Sequence, residues 1–237
     1  MAVNQQLLRR PSDRAMYILA AVAFPLIVLV GYAKTYYFAS LFDARPLANS
    51  LVHFHGLVMS AWVIYFVVQV ALIRTKNVRL HMAMGLGGIA LAALVIVIGL
   101  ATAYDAQLVR GAAPPGADPR TFFMLPLGDM VLFAIFFGGA IYYRKRPVEH
   151  KALMLMTAIN FLPAALFRMP FTPTGSPLLF AFGIPDLLAV AALGYHTWKY
   201  GKLNKVFAAA VVLLIIAIPV RMSFAETDLW LRLCDAL

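Results

Sequence analysis

The chain has 237 residues, 63% of them hydrophobic and 13% charged, about half the charged share of an ordinary soluble domain, and a water-soluble fold of this length cannot hide so much apolar surface. Twenty Lys and Arg stand against ten Asp and Glu for a formal net charge of +10, but the basic residues form short clusters between apolar runs rather than one stripe, which argues against a nucleic-acid partner and for a lipid bilayer. Cys234 is the single cysteine, which excludes an internal disulfide and a Cys-rich metal or cluster site.

Met1 to Arg14 carries three arginines ahead of an apolar run at 16–38. That run is too long for the apolar region of a secretory signal, and no small-residue cleavage site follows, so it reads as a retained first helix. Further runs able to cross a hydrocarbon core of about 30 Å follow at 51–73, 82–104, 122–143, 152–168, 178–198 and 206–224. The fifth is short and contains Asn160 and Pro163, yet Arg146 and Lys151 on one flank and Arg168 on the other fit a span. The predicted fold is all-α: a single domain over 1–237, a polytopic membrane bundle of about seven transmembrane helices.

Alternation of the spans puts Arg9, Arg10, Arg14, then Arg74, Lys76, Arg79, then Arg144, Lys145, Arg146, Lys151, then Lys199, Lys202, Lys205 at one end, thirteen of the twenty basic residues. The positive-inside bias makes that end cytoplasmic, so the N-terminus is expected in the cytoplasm and the C-terminus outside. The longest loop, Asp105 to Thr121, contains Pro114-Pro115-Gly116 and reads as a flexible outer connector. The tail from Ala225, with Trp230 and Leu231 beside Asp228 and Arg232, suits a short helix on the outer interface.

An ionisable residue near the centre of a membrane helix costs about 2.5 to 3.5 kcal/mol on insertion scales, so each one asks for a reason. Counted from the basic end, Asp129 lies about 22 Å up from Arg144, Asp186 about 20 Å from Lys199, Arg168 about 25 Å from Lys151 and Arg221 about 24 Å from Lys205. Two acids and two arginines therefore share one layer, with His55 and His53 close to the outer interface. One reading makes this layer structural, Asp129 and Asp186 pairing with Arg168 and Arg221. The other makes it an outward-facing polar pocket lined by His53, His55, Asp129, Asp186, Arg168 and Arg221, with Asn160 beneath.

In the pocket reading, His53, His55, Asp129 and Asp186 are candidate ligands for zinc, iron or manganese, while Arg168, Asn160 and Arg221 would hold a small anionic ligand. Residues two apart on a regular helix point about 200° apart, so His53 and His55 share one site only if the backbone before Gly56 is irregular. A second constellation, His81, His150 and His196, stands at the basic end on three helices. It offers axial ligands for a b-type haem, or three imidazoles for copper or zinc. A third class is a non-catalytic accessory subunit of a larger membrane complex, for which the polar layer only fixes packing. Trp62, Trp198 and Trp230 suit interface anchoring or packing, and Gln69 a hydrogen bond to a neighbouring helix.

The run His53-Phe54-His55-Gly56, then Trp62, Gln69 and His81, followed by Glu149-His150-Lys151-Ala152-Leu153-Met154-Leu155 and Arg168, resembles a group of bacterial seven-helix inner-membrane proteins of unassigned function. The resemblance covers about residues 50 to 205. It implies a seven-helix bundle in the bacterial inner (plasma) membrane and carries no activity with it.

Overall fold

The computed structural model describes residues 14–237, with side chains from Ala15 onward; Arg9 and Arg10 of the N-terminal basic set lie outside the described residues. Among these the chain forms helices and no strand. The α-helices are α1 (Arg14–Tyr32), α2 (Ser50–Arg74), α3 (Val78–Tyr104), α4 (Pro119–Tyr142), α5 (Pro147–Asn160), α6 (Leu162–Leu166), α7 (Pro177–Tyr200), α8 (Lys205–Ala225) and α9 (Asp228–Asp235). Two π-helical turns, Ala33–Tyr37 and Asp105–Val109, prolong α1 and α3.

Local chemistry explains the starts. Asn49, Asn77, Asp118, Asn204 and Thr227 each stand just before a helix and accept a backbone N–H from its first turn, replacing a partner the helix cannot supply. Pro119, Pro147 and Pro177 open α4, α5 and α7, where a missing N–H costs nothing. Arg120 donates to Asp118 from Nη2 at 2.8 Å, and these contacts hold the Asp118 carboxyl below the usual carboxylate range.

Six stretches are long and apolar enough to cross a membrane: Ala15–Tyr37, Ser50–Arg74, Val78–Val109, Pro119–Tyr142, Pro177–Tyr200 and Lys205–Ala225. Leu19, Leu86, Leu179 and Leu187 are each more than two-thirds exposed, at 68%, 75%, 72% and 71%. An apolar surface of this kind fits lipid as the surrounding solvent.

The stretch expected at 152–168 is not one helix. α5 stops at Asn160, and α6 is a single turn after Phe161. Pro163 supplies no N–H for the Ile159 carbonyl, and its ring crowds that oxygen, so the regular ladder cannot continue. α5 is nonetheless the centre of the bundle, packed by α4, α8, α7 and α1, with Met156, Thr157 and Asn160 almost fully enclosed. α6 packs on α1 and α7. At Gly31 any Cβ would collide with the Ala165 backbone, so α1 needs glycine to approach the broken segment this closely.

The basic turns α2–α3, α4–α5 and α7–α8 gather at one end of the bundle, which we call the basic end. α9 caps the other end. Its Trp230 Nε1 donates to the Arg120 carbonyl at 2.8 Å, and Arg120 Nη1 meets Asp235 at 2.9 Å. Tyr104 donates its hydroxyl to the Leu237 carbonyl at 2.8 Å. Leu229, Leu233 and Leu237 remain exposed, as an interfacial helix requires.

The segment expected as a flexible connector is partly helical. Residues 105–109 continue α3 as a π-helical turn with Gln107 buried. Asp105 anchors it, accepting Asn49 Nδ2 at 2.9 Å and Arg110 Nε at 2.8 Å. The run from Ala101 to Val109 contains neither Pro nor Gly, the signal that helix continues here.

Candidate functional site

A cavity of about 630 Å³ enters the bundle at the end opposite the basic turns. α1 contributes Tyr32, α2 His55 and Met59, α4 Phe122 and Asp129, the turn after α3 Gln107, and the broken α5–α6 segment Phe161 and Arg168. Both π-helical turns border it, through Tyr36 and Gln107, and such turns occur often at functional sites. Asp129 is the polar residue that α4 contributes to the lining, about 15 Å below the first residue of that helix. The walls are mostly aromatic and aliphatic, with few polar groups, the usual make-up of an organic-ligand pocket.

Two arginines line this cavity: Arg110, which is engaged by Asp105 at 2.8 Å, and Arg168. Arg168 follows α6 where the chain leaves the break, donates from Nη1 to the Ala164 carbonyl at 2.6 Å, and lies 4.9 Å from the Tyr32 ring centre. Among the described residues it makes no ion pair, and its charge acts on the His55 ring. Among the described residues Nδ1 of His55 is enclosed without a hydrogen-bond partner, as is Oε1 of Gln107. A guanidinium with free donors beside apolar walls can take a carboxylate or phosphate oxygen pair.

Behind the floor lies a second arrangement. Arg221 of α8 is 8% exposed, and its Nη1 donates to Asp129 Oδ1 at 2.7 Å and to the Leu125 carbonyl at 2.9 Å. Nε donates to the Ala217 carbonyl at 3.2 Å. Asn160 Nδ2 donates to the Asp129 carbonyl at 2.9 Å. Gly128 makes this possible, because any Cβ there would occupy the space of the Arg221 side chain. Asp186 on α7 is half-buried and feels the Arg221 charge, without forming an ion pair with a described residue.

The structure therefore divides the expected polar layer. Of the residues expected to line one pocket, His55, Asp129 and Arg168 face the cavity, whereas His53, Asp186 and Arg221 do not. α2 is regular through its first turns, so His53 turns away from His55. Tyr36 donates its hydroxyl to the His53 carbonyl at 3.2 Å and lies 3.4 Å from its Nδ1. Among the described residues no three of His, Cys, Asp and Glu converge in a group able to hold a metal ion. His53, His55, Asp129 and Asp186 are thus not assembled as a ligand set: one histidine points elsewhere, one aspartate is engaged by Arg221, and the other sits outside the cavity. The expected carboxylate–guanidinium pairing forms with Arg221 and not with Arg168.

At the basic end, His81 and His150 approach each other with ring centres 6.3 Å apart. His196 instead packs on Tyr200 and Phe207, at 4.5 and 6.0 Å between ring centres. Trp62 is a core residue, edge-on to Phe133 and Phe137 at 4.9 and 5.6 Å, while Trp198 is 80% exposed. Gln69 makes no hydrogen bond to a neighbouring helix; both ends of its amide are buried without a described partner.

Sequence reasoning missed Gln107 and the aromatic walls. Tyr32, Tyr36 and Phe161 look in the sequence like any aromatic residue of an apolar run, and only the crossing of α1, α2 and the broken segment turns them to one space. In comparisons with known proteins, the chain matches no family model, no curated protein and no solved structure.

Proposed function

We propose that this chain is a seven-pass protein of the bacterial inner membrane that binds a small amphipathic anion in its outward-facing cavity. The broken α5–α6 segment counts as the fifth pass: its 147–166 path is about 30 Å long if helical throughout, enough for one crossing. The excess of lysine and arginine at the basic end supports a cytoplasmic assignment for that end, which leaves the cavity mouth outside.

The observation that carries the binding proposal is Arg168: a guanidinium without an ion pair among the described residues, over the Tyr32 ring at the wall of an apolar cavity deep enough to take a hydrocarbon or aromatic body. The anionic head of the ligand meets Arg168 beside His55, and its apolar part extends toward Phe161 and Met130. Retaining the ion pair behind the floor keeps Arg221 from competing for the same anion.

A fluorescent long-chain carboxylate, dansyl-undecanoic acid, and its methyl ester test this on the full chain in detergent. The acid is expected to bind at least about tenfold more tightly than the ester, because a charge-assisted hydrogen bond contributes about 1.5 to 3 kcal/mol. Arg168→Gln should remove that preference while the protein stays monodisperse. Equal binding of acid and ester, or an unchanged preference in Arg168→Gln, would refute the proposal.

A further inference from the structure

His81 and His150 lie at the basic end, far from the cavity, and their surroundings differ from those of solvated histidines. His150 Nδ1 is 2.8 Å from the Ala140 carbonyl. A carbonyl only accepts, so Nδ1 carries the proton and the neutral ring presents a lone pair at Nε2. Metal-binding histidines are commonly oriented in this way, one nitrogen held by a backbone carbonyl and the other free. Among the described residues His81 Nδ1 is enclosed without a partner, which leaves Nε2 of that ring as the nitrogen open to an ion.

The two rings stand 6.3 Å apart between centres and nearly perpendicular, at 79°. An ion bonded at about 2.0 Å to one nitrogen of each ring would set the ring centres about 5 Å apart at a tetrahedral angle and about 6 Å apart with the three atoms nearly in line, so the rings would close by about 1 Å to take a tetrahedral ion. Gln69 of α2 and His81 of α3 both lie near the α2–α3 turn, five residues before the end of α2 and three after the start of α3. Tyr65 of α2 donates its hydroxyl to the Met84 carbonyl of α3, which sets the register of these helices. One turn along α2 from Tyr65 is Gln69, and three residues back along α3 from Met84 is His81. Among the described residues both ends of the Gln69 amide are buried without a partner, so its oxygen is free to act as a donor to an ion.

From this geometry we infer a second site: a late first-row transition-metal ion bridging His81 and His150, with the Gln69 amide oxygen as a third donor and water completing the shell. Imidazole nitrogen suits zinc, copper and nickel. Both histidines lie in the first turn of their helices, where the helix dipole favours anions. The imidazoles therefore supply the affinity against the local field. Glu149, next to His150, reduces that field by holding Arg146 at 2.9 Å.

The test uses the full chain in detergent, dialysed against Zn²⁺ or Co²⁺ and then metal-free buffer, with metal content by mass spectrometry and Co²⁺ absorption as a second readout. The parent should take up one equivalent. His81→Ala and His150→Ala should each weaken binding at least about tenfold, Gln69→Leu less, and His53→Ala not at all. His150→Gln, which keeps a polar side chain, covers the case in which the alanine variant fails to fold. No uptake by the parent, equal uptake by parent and histidine variants (an adventitious ion only), or a haem absorption band in the purified protein would overturn the inference. The outcome is independent of carboxylate binding at Arg168.

Discussion

Arg221 of α8 reaches across to α4 and places its Nη1 2.7 Å from Oδ1 of Asp129, joining two helices whose sequences are 92 positions apart. The pair is enclosed, with side chains 9% and 15% exposed. Removing one member of such a pair leaves the other charge without compensation. Arg221→Ala is therefore expected to destabilise by about 3 to 5 kcal/mol, and Arg221→Ala with Asp129→Asn should recover part of the loss. Thermal unfolding in detergent checks this. An Arg221→Ala variant that melts like the parent would show that the pair contributes nothing. Adding Arg168→Ala to Asp129→Asn should recover nothing, because Arg168 is not the partner.

Gly128 and Gly138 sit on the same helix and differ in one respect. A Cβ at Gly128 collides with Arg221, whereas none of its neighbours approaches a Cβ at Gly138 within 4 Å. Gly128→Ala should cost about 1 to 3 kcal/mol through displacement of the guanidinium. Gly138→Ala should be neutral or gain up to about 1 kcal/mol from helix propensity. Equal melting temperatures for the two variants would contradict the role assigned to Gly128.

Cys234 reports on the docking of α9. It is buried at 6% exposure, and burial pushes its thiol above the ordinary thiol range. The thiolate is the reactive form, so maleimide labelling near pH 8 should be slow and should rise about tenfold per pH unit. Trp230→Ala removes the ring that packs on Phe123 and the hydrogen bond to the Arg120 carbonyl. Labelling of that variant should be several-fold faster, and an unchanged rate would mean that Trp230 does not hold the helix in place.

The membrane orientation has its own measurement. In a Cys234→Ser background, Ala113→Cys near the cavity mouth should react with an impermeant maleimide in intact cells. Lys202→Cys in the α7–α8 turn should react only after permeabilisation. The reverse pattern would invert the bundle and place the cavity mouth in the cytoplasm.

Much of the architecture was already legible in the chain. Long apolar runs locate the spans within a few residues because the bilayer demands about twenty apolar residues per crossing, whatever the neighbouring helices do. Clustered lysine and arginine mark one end for the same local reason. The helix starts after Asn49, Asn77 and Asp118 are set by caps that act within three residues, a local signal that sequence reasoning missed. The expected fifth span was harder: it was short and held Pro163, and only the structure shows that the segment forms two pieces, α5 and α6, with α5 packed at the centre of the bundle.

Depth along each helix placed Asp129, Asp186, Arg168 and Arg221 in one layer from rise per residue alone, since that quantity is a property of the isolated helix. Direction around the helix is not. Which aspartate meets which arginine depends on how α4, α7 and α8 are rotated against one another, and that rotation is set by contacts such as Gly128 on Arg221. The chain by itself determined a membrane bundle with a polar layer and a basic end, because hydropathy and charge act through the solvent. Tertiary structure alone decided that Asp129 is spent on Arg221 while Arg168 stays available at the cavity, because pairing needs a distance of about 3 Å and no local pattern encodes a distance between helices.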